Sequence, residues 1–184
     1  MGSTLYIIVI TLHTIAAAIA IGAVTVTDYL HIVGLRKRKL EKKLSEIYPN
    51  LSDIIVYTLI FLFLSGFAMV YLNQALLKSP FFLTKAILVI LVSANGLYLQ
   101  KKVEPNLNKC VMKGTKHCSR SLLYSSAIFG SFSVVTWYSI LILSMTKTTG
   151  YTLKTFLTIY FIVLSIAMIS AYFLEKKSRV WRED

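Results

Sequence analysis

Charged residues gather in blocks along this chain, and between the blocks run five long apolar stretches: Leu5–Thr27, Ile54–Leu72, Phe81–Leu99, Leu122–Ser144 and Tyr151–Leu174. Roughly 20 apolar residues at about 1.5 Å each cross about 30 Å of hydrocarbon, so each stretch predicts a transmembrane helix. The first, second and fourth contain no Asp, Glu, Lys or Arg. The third holds Lys85 and the fifth Lys154, each near its start, where a long side chain reaches the interface. Helices of a water-soluble bundle would carry a polar stripe, and these stretches carry none. The expected fold is therefore all-α, a single membrane domain built as a bundle of five transmembrane helices.

The same pattern gives an expected course through the bundle. The segment 28–53 reads as a helical extension, with Leu35, Leu40, Leu44 and Ile47 at roughly helical spacing, ended by Pro49-Asn50 before the second span. The connections 73–80 and 145–150 are short, which predicts that spans two and three, and spans four and five, pack as antiparallel neighbours. The segment 100–121 is too small for a folded domain and reads as a loop. Helix association in lipid relies on close packing and polar contacts. The first span offers Ala16, Ala17, Ala18, Ala20, Gly22 and Ala23. The fourth offers Ser126, Gly130, Ser133 and Trp137 on one face. These two spans are expected at the bundle centre, and their small-residue faces could also seat a second copy or a partner helix of a membrane complex.

Composition sharpens the picture. The chain is 56% hydrophobic and 15% charged yet has a formal net charge of +12, outside the usual balance of a soluble domain. Sixteen of its 20 basic residues fall in Arg36–Lys43, in Lys101–Arg120 and in the tail after Glu175, all on one side of a five-span path, which leaves Lys78, Lys85, Lys147 and Lys154. Short loops rich in lysine and arginine stay in the cytoplasm. The expected orientation thus puts the N-terminus outside and the C-terminus in the cytoplasm, in the cell (plasma) membrane. Lying against helix ends, these cations would meet the anionic inner leaflet, which accounts for the charge without nucleic acid. The first span lacks a basic leader and exceeds a typical signal-peptide core, so it is expected to be retained.

Few residues are placed to carry chemistry. His13, Ala17, Ala20, Val24, Asp28 and His31 share one face of the first span, with His13 near the membrane midplane. An ionisable group at that depth invites a functional reading, and three remain open for His13: a hydrogen-bonded neutral imidazole, a metal or haem ligand, or a proton relay. Asp28 and His31 could form an interfacial ion pair or a proton-passing pair. Lys85 either snorkels outward or turns into the bundle. Asn95 and Trp137 need partners in hydrocarbon, and Ser126 and Ser133 add polarity to the fourth span. His13, Asp28, Asn95, Ser126 and Ser133 together would suit a small transporter or ion pathway, although an odd number of spans and no visible inverted repeat set it apart from common secondary transporters. An accessory subunit makes no chemical demand at all.

Cys110 and Cys118 fall in the expected cytoplasmic loop, where thiols stay reduced. With Met112 and His117 they form a soft-ligand set, KCVMKGTKHC, whose spacing matches no standard zinc pattern, so no metal site is assigned there. No phosphate-binding loop, dinucleotide fingerprint, HExxH or GxSxG occurs. With only His13 mid-membrane, a standard dihaem cytochrome is excluded.

His13 and the stretch LLKSPFFLTKAILVILV over residues 76–92 resemble the haem-binding, membrane-bound bacterial protoporphyrinogen oxidase family and the related copper-resistance D type. Those proteins carry a histidine in the first span, and the oxidases a lysine that opens a later span after a short extracytoplasmic turn. The resemblance covers roughly the first half of the chain. It implies a b-type haem (haem b) held by His13 as axial ligand, with Lys85 as a possible second ligand, in a small membrane redox protein.

Overall fold

In a computed structural model of the protein, the described residues are 2–36, 42–113, 118–145 and 152–183. They form six α-helices: α1 (Gly2–Arg36), α2 (Lys42–Leu72), α3 (Pro80–Tyr98), α4 (Glu104–Lys113), α5 (Arg120–Met145) and α6 (Leu153–Glu183). No strand occurs among the described residues. Five stretches are long and apolar enough to cross a membrane: Thr4–Leu30, Pro49–Leu72, Pro80–Leu107, Arg120–Met145 and Leu153–Lys177. Each contains or closely overlaps one of the apolar runs read from sequence.

The helices continue where the sequence suggested breaks. α2 runs through Pro49 without interruption. A proline removes one backbone donor and frees the carbonyl four residues earlier. That carbonyl, on Ser45, lies outside the apolar stretch Pro49–Leu72, where water can satisfy it. Likewise 100–121 is not simply a loop: after a π-helical turn at Leu99–Val103 the chain goes straight on into α4. Pro105 lies just past this turn, so its missing N–H falls where the regular hydrogen-bond ladder is already interrupted.

The short connection between α2 and α3 is a 3₁₀ turn, Gln74–Lys78, capped at both ends. Asn73 accepts from the Ala75 amide at 3.2 Å, and Ser79 caps α3 by accepting from the Phe82 amide at 3.4 Å. This turn joins α2 and α3 without packing them together. α2 lies along α1, while α3 lies along α5, which also carries α6. The expected neighbourhood of spans four and five holds, whereas spans two and three diverge and make no extended contact with each other. Loop length limits only the separation of two helix ends; side-chain fit fixes where the rest of each helix lies.

The centre of the bundle is where the small residues of α1 admit close approach. Ala16, Ala20 and Val24 meet Leu62 of α2, Val92 of α3 and Trp137 of α5. A second cluster, Leu88, Tyr160 and Leu164, joins α3 to α6 through Phe132 and Val135 of α5. Tyr160 donates to the Thr136 hydroxyl at 3.1 Å, since the Thr136 proton is given to the Phe132 carbonyl at 2.7 Å. α6 is peripheral, with only 6% of its apolar window buried. Large apolar side chains such as Phe67, Ile87, Ile162 and Phe173 stand outward, a belt that water would not tolerate over this area.

At the basic end the structure corrects the reading of the cysteines. Cys110, in α4, and Cys118, just before α5, are joined in a disulfide with their Cα atoms 5.1 Å apart, a spacing that suits the bond. Compartment chemistry gave no hint that α4 and the start of α5 would hold the two side by side. Cys118 is buried with Leu107 and Leu123 and packs near Leu30 of α1, and exchange needs access to sulfur. The bridge also removes both thiols from any soft-metal set. Among the other members of that set, the Met112 side chain and His117 lie outside the described residues.

Candidate functional site

Two polar places occur along α1, separated by the 15 residues from His13 to Asp28, roughly 22 Å of helix. They face different ends of the bundle.

The first is at His13. Its Nδ1 lies 2.8 Å from the Ser65 hydroxyl of α2. Ser65 gives its single proton to the Phe61 carbonyl at 2.7 Å, so its oxygen must accept from Nδ1–H. This fixes the imidazole tautomer with the Nε2 lone pair unprotonated, the arrangement a ligating histidine uses. Lys85 of α3 is half-buried, and its charge is within electrostatic range of the His13 ring. The two residues singled out for haem thus belong to one neighbourhood of the bundle. The part missed from sequence is Ser65, one of many serines in apolar helices and without any distinguishing spacing.

The second place is a cavity of about 250 Å³ bounded by α1, α2, α3 and α5, in the space left where α2 and α3 diverge. Its deep end is apolar, formed by Phe63, Leu59, Val92 and Trp137. Towards the basic end the lining becomes polar, with Asp28, Ser52, Gln100 and Glu104. The Glu104 carboxylate accepts a hydrogen bond from Ser52, and Asp53 lies near enough to be felt. Asp28 Oδ2 is buried and has no hydrogen-bond partner among the described residues. His31, expected three residues on as its companion, has its side chain outside the described residues.

The remaining candidates divide between this cavity and the scaffold. Ser133 and Trp137 are both buried and line the cavity. Asn95 instead staples α3 to α5, donating from Nδ2 to the Phe129 carbonyl at 3.0 Å. Ser126 bonds to the Leu123 carbonyl of its own helix at 3.0 Å. Glu104 went unnoticed in the sequence because 100–121 read as a loop; the signal that could have found it is a lone acid among lysines just beyond an apolar run. Among the described residues no group of three or more His, Cys, Asp or Glu is placed to hold a metal ion.

No protein-family model matches the chain, and neither the curated proteins nor the solved structures contain a match. The likeness to the haem-binding oxidases thus rests on His13, Lys85 and the stretch around Lys85.

Proposed function

We propose that this chain is a five-span protein of the cell membrane, N-terminus outside and C-terminus cytoplasmic, that takes up a small molecule from the cytoplasmic side into its intramembrane cavity, as a small carrier does. The observation that carries this reading is the cavity between the diverging α2 and α3, apolar at depth and acidic at its mouth. The orientation is supported by the basic residues: all but Lys78, Lys85, Lys147 and Lys154 of the 20 lysines and arginines belong to one end, and such an excess is retained inside. Cavity access tests both parts at once. Among the described residues no cysteine is free, so a Ser93→Cys chain carries one reactive thiol, on the cavity wall. A small, membrane-impermeant cationic thiosulfonate is expected to modify it in inverted vesicles and not in right-side-out ones. Reaction from the outer side alone, or from neither side, would refute the reading.

A second reading is favoured by the His13–Ser65 bond. With Nδ1 anchored, His13 would hold a b-type haem through Nε2, and Lys85 would be the second residue to hold it. The haem would supply one-electron transfer. Ser65 would hold the ring in place, and Lys85 would add a cation near the site. Detergent-purified protein from haem-replete cells is then expected to show a Soret band that His13→Ala abolishes, and a colourless preparation rules this reading out.

A further inference from the structure

We infer that the cavity selects amphipathic organic cations, of the size of a protonated amine bearing one aromatic ring; this rests on the cavity reading above and names its ligand class. Among the described residues the cavity is lined by two carboxylates, Asp28 and Glu104, and by no lysine, arginine or histidine. In a chain of net charge +12 whose basic residues crowd the same end, that local reversal of sign excludes anions and attracts cations.

The two acids are not equivalent. Glu104 already has a donor in Ser52, whereas Asp28 Oδ2 is shut away from water with none among the described residues. Buried carboxylate oxygens are costly unless hydrogen-bonded, and an ammonium entering the cavity supplies the missing donor as a charge-assisted bond.

The walls decide which cation fits. A hard metal ion takes six or more oxygen ligands, and beyond the mouth the lining is mainly hydrocarbon, with only the hydroxyls of Ser93 and Ser133 among the described residues. Phe63, Leu59 and Val92 instead suit the apolar part of an organic molecule, and the indole of Trp137 offers a face on which a ring or a cationic head can rest. A volume of about 250 Å³ holds a single-ring amine and little more, near the small end of ordinary ligand pockets.

The position of Trp137 provides the measurement. The chain has two tryptophans, so Trp181→Phe leaves Trp137 as sole reporter. In nanodiscs of zwitterionic lipid, which do not recruit cations by themselves, 3-phenylpropylamine at neutral pH is expected to shift Trp137 emission saturably. Its uncharged analogue 3-phenylpropan-1-ol is expected to bind at least about tenfold more weakly, the scale of one charge-assisted bond. Asp28→Asn, which keeps side-chain size, is expected to weaken the amine by about the same factor and leave the alcohol unchanged. Glu104→Gln is expected to have a smaller effect, and circular dichroism verifies that each variant is folded. Equal binding of amine and alcohol, or an Asp28→Asn chain that holds the amine as well as its parent, overturns the cation selectivity while leaving the cavity reading intact. Saturation by neither molecule overturns both.

Discussion

Replacing Trp137 with alanine is expected to lower the unfolding free energy in mixed micelles by about 3–5 kcal/mol, the range for truncating a large buried aromatic. Trp137 is 3% exposed and sits where four helices meet, touching the small-residue face of α1 as well as Leu62 and Val92. Its loss would enlarge a cavity that already exists beside it, so the surrounding side chains have little means of closing the gap. Titration with a denaturing detergent, followed by circular dichroism, measures the cost. Tyr71→Ala serves as the control, because Tyr71 is 84% exposed and its removal should change stability by less than about 0.5 kcal/mol. Equal losses from the two variants would mean that α1, α2, α3 and α5 do not converge on Trp137.

The opposite manipulation, filling the cavity, should abolish ligand binding without weakening the fold. Gly96 lines the cavity on α3, and a Cβ added there would meet nothing within 4 Å. In Gly96→Leu the isobutyl group has open space to occupy, and exchanging a mid-helix glycine for a strong helix former contributes up to about 1 kcal/mol. The variant is expected to unfold at equal or higher denaturant than its parent and to lose the saturable response of Trp137 to 3-phenylpropylamine. A retained response would place the amine elsewhere on the protein.

How much of this could be read from residues alone differs by level. The five long helices were legible because an apolar run of bilayer-crossing length is a one-dimensional signal. The arrangement of those helices was only partly legible. α1 and α5 were placed at the centre from their alanines and serines, and the core around Ala20 and Trp137 agrees. That α2 leaves α3 while lying along α1 could not be read, since helices apolar on every side carry no stripe to mark the packed face. Pro49 and the segment after Leu99 misled for a related reason: local breaking tendencies, about 3 kcal/mol for a proline, yield to flanking turns that are strongly helical.

The candidate site shows the same division. Asp28 and His13 stood out as ionisable groups in apolar surroundings. Their partners did not, because Ser65 reaches His13 across 52 residues of sequence and Glu104 reaches the cavity by way of Ser52 on another helix. The Cys110–Cys118 bridge was not legible because a compartment's redox state says nothing of geometry, and the decisive factor is that α4 and the start of α5 hold the sulfurs side by side.

The π-helical turn at Leu99–Val103 carries a consequence for how such a site could arise and be lost. A turn of this kind accommodates one residue more than the regular spiral needs, so it acts as a phase shifter of about 100° for everything that follows. Glu104 is the first residue past that offset. Excising a single codon within it would let the regular spiral close while Glu104 kept its azimuth, so this acid would still face the chamber mouth. A gene lineage could therefore gain or lose a residue at this turn and keep the second carboxylate, whereas an indel elsewhere in the same helix would turn it away by about 100°.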